Sequence, residues 1–423
     1  MLDIRFIREN TDLVKQAMRN RALDIDIDAV ISVDERRRKA LSEFEELAAR
    51  RNKANDEISL LLKQKKDAKD KISSMRDISK RIGELEPRIK EEEAELNKLL
   101  LSIPNIPHAS LPVGDPSCNR VIRSWGEPKK FSFKPLSHIE LCQNLDIVDF
   151  NRATKITGSN FILFKGWGAK LERALINFML DLHTGKHGYT EIFPPFLVNR
   201  ASMLGTGQLP KLEEDMYKLQ DDDLFLIPTA EVPVTNIFRD EIIDEDRLPV
   251  YYTAYTACFR REAGSYGKDT RGLIRVHEFD KVEMVKFVRP EDSYDELEKL
   301  LANAEEVLQL LGLPYRVVML STQDISFSAS KCYDIEAYTA GADKWLEVSS
   351  CSNFENFQAR RANIRVRRKE GKKTDFVHTL NGSGVALART VVAILENYQQ
   401  EDGSVLVPEA LRPYLNGQER IFR

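Results

Sequence analysis

The chain has 423 residues, 42% of them hydrophobic and 31% charged, so it is long enough for about two domains with a sizeable core. Its net charge of −4 argues against a protein that coats nucleic acid without selectivity. Residues 1–30 lack a signal-like apolar region, and no stretch approaches the roughly 18 apolar residues of a membrane span, so a cytoplasmic protein without membrane contact is expected.

The cysteines and histidines give no sign of a disulfide framework or a structural metal. The five cysteines are scattered without a CxxC pair, and the six histidines lack the spacings typical of metal ligands. We therefore expect reduced cysteines and no zinc.

The N-terminal part of the sequence predicts a helical domain over residues 1–103. A short amphipathic helix within 1–29 is followed by two hydrophobic seams, 33–61 and 75–103, whose positions alternate between spacings of three and four. The short connection between the seams favours an antiparallel pair of long helices, an arm over about 30–103. The proline-rich stretch that follows predicts a linker over 104–120.

The distal half of this arm is basic. Residues 50–90 contain 13 lysines and arginines against 7 aspartates and glutamates. One interpretation is a solvated coiled-coil face that contacts another helix or a second copy of the chain. The other is a rigid lever whose basic end follows a phosphate backbone.

Residues 121–423 predict an α+β domain. Helices are expected over 169–188 and 294–312, and the remaining apolar runs have the alternation of strands. Because the strands follow one another with few intervening helices, they favour an antiparallel sheet. The predicted strands cover 223–231, 249–261, 273–288, 315–320, 332–340, 344–354 and 375–380.

The strands around the CFRRE sequence carry an unusual number of charges. In an extended chain Arg260 and Glu262 share one face, and Arg275, Phe279 and Glu283 share a face of the return strand, with His277 and Lys281 between them. A solvent-facing sheet with ion pairs across its strands is one interpretation. The alternative is a nucleotide site, since an aromatic ring beside arginines suits a stacked base and its phosphates.

Three further patches carry candidate chemistry. Five of residues 382–388 are small, namely Gly382, Ser383, Gly384, Ala386 and Ala388, and they predict a helix start that leads to Arg389, for which we expect burial and an anionic or aromatic partner. Thr229 and Glu231 would point the same way in an extended segment. Glu347 and Ser350 carry oxygens that suit a hard cation, but strict alternation puts them on opposite faces, so either a bulge intervenes or one is not a ligand.

Together these patches resemble the motifs of the class II aminoacyl-tRNA synthetases, and within them the seryl-tRNA synthetases of the ordinary bacterial kind. The likeness extends over essentially the whole chain and includes the helical arm. The second motif is similar to Phe259, Arg260, Arg261 and Glu262, and the third to residues 382–389, with Ala388 where many members carry glutamate. The first motif is similar to Gly188, Tyr189, Ile192, Pro195, Phe196 and Leu197.

The resemblance implies an antiparallel class II catalytic domain and a two-step reaction. Serine and ATP would give seryl-adenylate and pyrophosphate, and a ribose hydroxyl at the 3′ end of the serine tRNA would take the seryl group. Selenocysteine tRNA is a second candidate acceptor. The arm would hold the long variable arm of the tRNA, reaching across a homodimer. Lys268 and Arg271 would contact the acceptor end.

The family pattern also implies roles for individual residues, with Arg260 and Arg389 as the catalytic pair. Glu347 and Ser350 would hold Mg²⁺. The implied ATP-binding residues are Arg260, Arg261, Glu262, Arg275, Val276, Phe279, Glu347, Val348, Ser349, Ser350 and Arg389. The implied serine-binding residues are Thr229, Ala230, Glu231, Arg260, Glu283 and Ser383. Three rivals stay open: a relative that activates another amino acid, a relative that has lost tRNA charging, and a coiled-coil tRNA-binding or scaffold protein with an inactive sheet domain.

Overall fold

The structure, a computed structural model, describes residues 1–263, 271–370 and 373–423. The chain divides into two compact units, Met1–Pro104 and Asn105–Arg423. Within the described residues, no helix combines the length and the apolar character needed to cross a membrane.

The first unit is helical and contains the predicted arm. Its helices are α1 (Ile4–Glu9), α2 (Thr11–Asn20), α3 (Ile27–Lys63) and α4 (Lys69–Ser102). Ion pairs join α3 to α4 along their length, from Arg36 with Glu92 near the base to Lys71 with Glu57 near the tip. The residue numbers of the α4 partners decrease as those of the α3 residues increase, so the two helices are antiparallel, as the seams predict.

The second unit is built on an eight-stranded sheet flanked by helices. Its helices are α5 (His138–Asn144), α6 (Phe150–Ile156), α7 (Trp167–Gly185), α8 (Arg200–Thr206), α9 (Glu231–Thr235), α10 (Ser293–Leu310), α11 (Phe357–Ala362) and α12 (Leu387–Tyr398). Its strands are β1 (Arg120–Trp125), β2 (Thr190–Glu191), β3 (Leu197–Asn199), β4 (Leu224–Leu226), β5 (Ile242–Asp244), β6 (Val250–Phe259), β7 (Glu278–Val288), β8 (Tyr315–Met319), β9 (Lys331–Thr339), β10 (Lys344–Asn353), β11 (Arg365–Arg367), β12 (Thr374–Phe376), β13 (His378–Ala386), β14 (Val405–Leu406) and β15 (Arg420–Ile421).

The strand order of the large sheet is β1-β8-β9-β10-β13-β7-β6-β2. Every neighbouring pair is antiparallel except β2 with β6. Helices α7, α10 and α12 pack on this sheet around one large hydrophobic core. The sequence-based expectation of an α+β domain with an antiparallel sheet is confirmed.

Strand β7 positions the site, because its residues alternate between core and cavity. Val282 and Met284 belong to the hydrophobic core, whereas Phe279, Lys281 and Glu283 line a polar cavity. This is the period-two geometry expected of a strand with two different faces.

Three sequence-based expectations about local structure are wrong. Strand β7 begins at Glu278 and not at 273, so Arg275 reaches the cavity from a loop. Residues 382–386 are the end of strand β13 and not a helix start. They are small because a Cβ on Gly382 would lie 2.9 Å from the sulfur of Cys351, and one on Gly384 would lie 2.3 Å from Nε2 of His183.

The third concerns residues 229–231, expected to be extended. Glu231 instead begins helix α9, and its backbone N–H donates to the hydroxyl of Thr229 at 3.2 Å. A hydroxyl that accepts from the first turn in this way stabilises a helix start.

The proline-rich residues that follow Pro104 are hydrogen-bonded to the second unit. The Asn105 amide, in a side chain that is almost fully buried, donates to the carbonyls of Ser328 and Phe354 at 2.9 and 2.8 Å. The backbone N–H of Thr322 donates to the Pro112 carbonyl at 3.0 Å. Prolines have no N–H, so these bonds are made by proline carbonyls and by neighbouring residues. Residues from 105 onwards form part of the second unit.

Candidate active site

A cavity of about 340 Å³ lies in the second unit, on the face of the sheet opposite the core side of β7. One part of its wall carries arginines, an aromatic ring and apolar side chains, and another carries buried carboxylates. Its lining includes Thr206, Gln208, Thr229, Glu231, Arg260, Glu262, Leu273, Ile274, Arg275, Val276, Phe279, Lys281, Glu283, Glu347, Val348, Ser350, Ser352, Phe354, Asn381, Ser383, Ala388 and Arg389.

Arg260 is held at the end of strand β6. Its backbone N–H donates to the His277 carbonyl at 2.9 Å, and its Nε donates to the Pro228 carbonyl at 3.3 Å. The guanidinium carbon lies 5.1 Å from the centre of the Phe279 ring. These contacts fix the direction of the guanidinium and leave donors that can face an anion in the cavity.

Glu262 and Arg275 form an ion pair beside Arg260. Arg275 Nη1 donates to Glu262 Oε2 at 2.5 Å, and Glu262 has a left-handed backbone with φ of 51°. A positive φ is uncommon for a residue other than glycine, and such residues cluster at functional sites. Both side chains line the cavity although neither lies in a strand.

Arg389 stands near the start of helix α12 and is tied to two other parts of the cavity. Its Nε donates to the Ile274 carbonyl at 3.1 Å, and its Nη1 donates to the carbonyl and the carboxylate of Glu347 at 2.8 and 3.0 Å. The expectation of a buried arginine is wrong, because 26% of the side chain is exposed. The expectation of an anionic partner is met by Glu347.

A bulge in strand β10 resolves the alternation problem of Glu347 and Ser350. The pairing of β10 with β9 shifts register between Glu347 and Ser349, so that Glu347 and Ser350 both line the cavity. Asp334 lies opposite Ser350 on β9. Burial first, and then the neighbouring Glu347, raise the pKa of the Asp334 carboxyl well above its usual range.

The floor of the cavity is a closed network around Glu283. Lys281 Nζ pairs with Glu283 Oε2 at 2.5 Å and donates to the Thr229 hydroxyl at 2.9 Å. The Thr229 hydroxyl donates to Glu283 Oε2 at 3.2 Å, and the Asn381 amide donates to Oε1 at 3.0 Å. Glu283 is 1% exposed, so its charge is balanced by Lys281 and by hydrogen bonds rather than by water.

A second carboxylate, Glu231, lies beside this network and is also buried. The Gln358 amide donates to Glu231 Oε1 at 2.5 Å, and the Thr379 hydroxyl holds the other end of that amide at 2.8 Å. Burial, followed by the charge of Glu283, raises the pKa of Glu231 to about 7. A change of about one pH unit around neutrality therefore changes the charge of this part of the cavity.

Three predicted site residues do not line the cavity. The Ala230 side chain lies in a hydrophobic cluster, and the Ser349 hydroxyl donates to the Ser383 carbonyl at 2.6 Å. The Arg261 backbone N–H bonds to the Asp215 carbonyl, and its exposed side chain is absent from the cavity wall. Each of the three neighbours a residue that does line the cavity, and a helix start, a bulge or a strand end turns its side chain away.

The remaining predicted residues lie together on the wall of the cavity. They are Thr229, Glu231, Arg260, Glu262, Arg275, Val276, Phe279, Glu283, Glu347, Val348, Ser350, Ser383 and Arg389. His277 does not join them: its ring contacts Phe161 at 5.4 Å. Lys268 belongs to residues 264–270 and lies outside the described residues.

Sequence reasoning missed several residues of the floor. Lys281 carries a signal, because it shares the strand face of Phe279 and Glu283, but neither the pattern nor the resemblance implies a role for it. Asn381 and Gln358 carried none, since their partners Glu283 and Glu231 lie far away in the sequence and only the folded sheet brings them together.

Comparison with known proteins found matches over the whole chain. The model of the tRNA synthetase class II core domain (G, H, P, S and T) matches residues 215–398, and that of the seryl-tRNA synthetase N-terminal domain matches residues 1–107. Proteins named serine–tRNA ligase from Geobacillus sp. (strain WCH70) and Carboxydothermus hydrogenoformans are 60% and 57% identical, each over 100% of both chains. The crystal structure of seryl-tRNA synthetase from Pyrococcus horikoshii complexed with ATP has a TM-score of 0.93 and 40% identity, covering 100% of this chain and 99% of that one.

Proposed function

Because this chain belongs to the seryl-tRNA synthetase family, we propose that it is a serine–tRNA ligase that activates L-serine with ATP and transfers it to the 3′ end of serine tRNA. One observation carries the proposal. A single cavity joins an arginine and aromatic face, suited to a nucleotide, to a floor with two buried carboxylates, suited to a small ammonium substrate.

In the first step a carboxylate oxygen of serine attacks the α-phosphorus of ATP. A bond forms between that oxygen and phosphorus, the bond to the bridging oxygen breaks, and its electron pair leaves with pyrophosphate. The serine carboxylate is already ionised at neutral pH, so this step requires orientation and charge neutralisation rather than a general base. We assign both tasks to Arg260, whose side chain is fixed by the Pro228 carbonyl and the Phe279 ring.

The nucleotide is assigned to the arginine and aromatic face. Phe279 offers its ring to the adenine, and Glu262 accepts from the edge of the base. Arg389 would hold the γ-phosphate against the other face of the base, with Arg275 as a further phosphate contact. The bonds that Arg389 makes to Ile274 and Glu347 support this assignment, because they restrict the guanidinium before ATP arrives.

Mg²⁺ is assigned to Glu347 and Ser350. The fit rests on the bulge in β10, which brings a carboxylate and a hydroxyl to one face of the strand. Within the described residues no cluster of three or more His, Cys, Asp or Glu could hold a metal ion, so the phosphate oxygens of ATP would supply the other ligands. When bound, the ion would neutralise charge on the phosphates.

The amino acid is assigned to Thr229, Glu231, Glu283 and Ser383. The carboxylates would bind the serine ammonium and accept a hydrogen bond from its hydroxyl. Lys281 already balances Glu283, so the floor holds about one net negative charge when Glu231 is ionised. Alanine would leave a buried acceptor without a partner, and this favours a substrate that carries a hydroxyl.

The tRNA is assigned to the basic arm, and we further propose a homodimer acting in the cytoplasm, where ATP, serine and tRNA are available. The tip exposes Lys63, Lys65 and Lys66 together with Leu60 and Leu62, which are 57% and 58% exposed. A basic end on a stiff helical pair suits a phosphate backbone. Sedimentation of the purified chain tests the dimer.

Pyrophosphate exchange with each of the twenty amino acids tests the function. Serine alone should support exchange, and tRNA transcripts for serine and selenocysteine should then be compared as acceptors. Exchange driven by another amino acid would identify a relative with a different substrate. Exchange with none would favour a scaffold.

A further inference from the structure

His138 is a buried histidine outside the cavity, wedged between helix α12 and the segment that leads into strand β7. Its side chain is 4% exposed, and that of its partner Glu396 is fully buried. The backbone N–H and Nδ1 of His138 lie 2.8 and 3.0 Å from Glu396 Oε1. The other oxygen of Glu396 accepts from the backbone N–H groups of Gly341 and Ala342 at 2.8 and 3.1 Å.

These bonds define the tautomer of His138. The Glu396 carboxylate can only accept from Nδ1, so Nδ1 carries the proton. The backbone N–H of Leu273 points at Nε2 at 3.4 Å, so Nε2 is the bare acceptor. Neutral His138 therefore uses one nitrogen to hold α12 and the other to hold Leu273.

The approach of this segment to His138 depends on Gly272. Its φ is 73°, a backbone conformation that favours glycine. A Cβ on Gly272 would lie 2.3 Å from Nε2 of His138 and 2.8 Å from a side-chain carbon of Ile139. The segment is thus seated directly against the imidazole.

The same segment reaches the cavity one residue later. Leu273 and Ile274 both line it, and the Ile274 carbonyl accepts from Nε of Arg389 at 3.1 Å. Arg389 and Glu396 lie on the same helix about two turns apart. Helix α12 is therefore hydrogen-bonded to this short segment in two ways, directly through Arg389 and indirectly through Glu396 and His138.

We propose that His138 is a positioning residue for the nucleotide half of the cavity. By accepting a hydrogen bond from the Leu273 backbone N–H, His138 fixes the position of the neighbouring Ile274 carbonyl. That carbonyl in turn fixes the direction of the Arg389 guanidinium. The proposal rests on the proposed function, in which Arg389 contacts ATP. His138 is hydrogen-bonded to Glu396 and Leu273 and not to the residues assigned to serine, so its loss should affect ATP and not serine.

Two substitutions separate the two nitrogens of His138. In His138→Asn the amide can occupy the place of Nδ1 and donate to Glu396, but nothing accepts from Leu273. In His138→Gln the carbonyl can reach the place of Nε2 and accept from Leu273, but the donor to Glu396 is lost. The variants are matched, since each removes the ring and one hydrogen bond.

The assay is pyrophosphate exchange by the full chain, with KM for ATP and KM for serine measured separately. His138→Asn should raise KM for ATP roughly tenfold, the effect of one lost buried hydrogen bond, and change KM for serine less than about twofold. His138→Gln should raise KM for ATP less than about threefold. Thermal unfolding should rank the variants in reverse, with Gln the less stable, because it loses the bond to the buried Glu396.

Equal effects of Asn and Gln on KM for ATP, or parallel changes in both KM values, would overturn the proposal in favour of a merely structural histidine. If both variants fail to fold, Gly272→Ala decides, because it displaces the segment without touching Glu396 and should show the same ATP-specific defect. If wild-type protein activates a different amino acid, that amino acid replaces serine in the assay. If it activates none, calorimetric titration with ATP gives the comparison directly.

Discussion

We predict that serine recognition depends on pH through the protonation of Glu231. The carboxyl is buried beside Glu283, and its pKa lies at about 7. Only the ionised form attracts the serine ammonium. The perturbation is therefore a change of pH from 6 to 8, alone and combined with Glu231→Gln.

The magnitude follows from that pKa. About one tenth of Glu231 is ionised at pH 6 and about nine tenths at pH 8, so kcat/KM for serine should rise roughly tenfold over this range. Stability should change in the opposite direction. The unfolded carboxyl ionises near 4.5, so between pH 4.5 and 7 the folded protein loses about 3 kcal/mol and then levels off.

The assay is pyrophosphate exchange at saturating ATP, with serine varied at each pH. ATP also titrates in this range, and Glu231→Gln serves as the matched control because it leaves that titration unchanged. The variant should be poor at every pH, with a much flatter serine profile, and it should gain stability relative to wild type at pH 8 more than at pH 5. A wild-type profile without slope, or the same slope in Glu231→Gln, would refute the reasoning.

Two other predictions concern the floor and the arm. Glu283→Ala should reduce serine-dependent exchange at least about a hundredfold while ATP binding by calorimetry stays within about threefold, because it removes a substrate acceptor and leaves Lys281 buried without its partner; unchanged exchange would contradict the assignment. Replacing Lys63, Lys65 and Lys66 with glutamate should raise KM for tRNA at least about tenfold and leave pyrophosphate exchange unchanged. The increase in KM should be larger at low salt, where charges are less screened. Normal charging of tRNA would reassign the arm to protein contacts.

The sequence predicted the elements whose pattern is strong and local. The arm followed from a seam that persists over many turns, and β6 and β8 to β10 followed from alternation bounded by turn residues. Residues 382–386 were misjudged for a physical reason. Their small side chains look like the entry of a helix, but they are small because β13 is crowded by His183 and Cys351 from neighbouring elements.

The site was predictable where one strand face carried it and unpredictable where two distant segments met. Arg260 and Phe279 follow from period-two geometry on adjacent strands. The shared face of Glu347 and Ser350 depends on a bulge, which left two alternatives at the level of sequence. Gln358 donates to Glu231 from helix α11, and no local sequence pattern predicts a hydrogen bond between residues so far apart in the chain.

Lys281 makes the two-carboxylate floor possible. Glu231 and Glu283 are close enough for the charge of one to raise the pKa of the other, and two buried anions without a cation would both tend to protonate. Lys281→Met keeps most of the volume but removes the charge, so we expect serine-dependent exchange to fall at least about a hundredfold. The double change Lys281→Met with Glu283→Gln restores neutrality and should recover stability without recovering activity. If stability does not recover, Lys281 does not stabilise the floor by balancing the charge of Glu283.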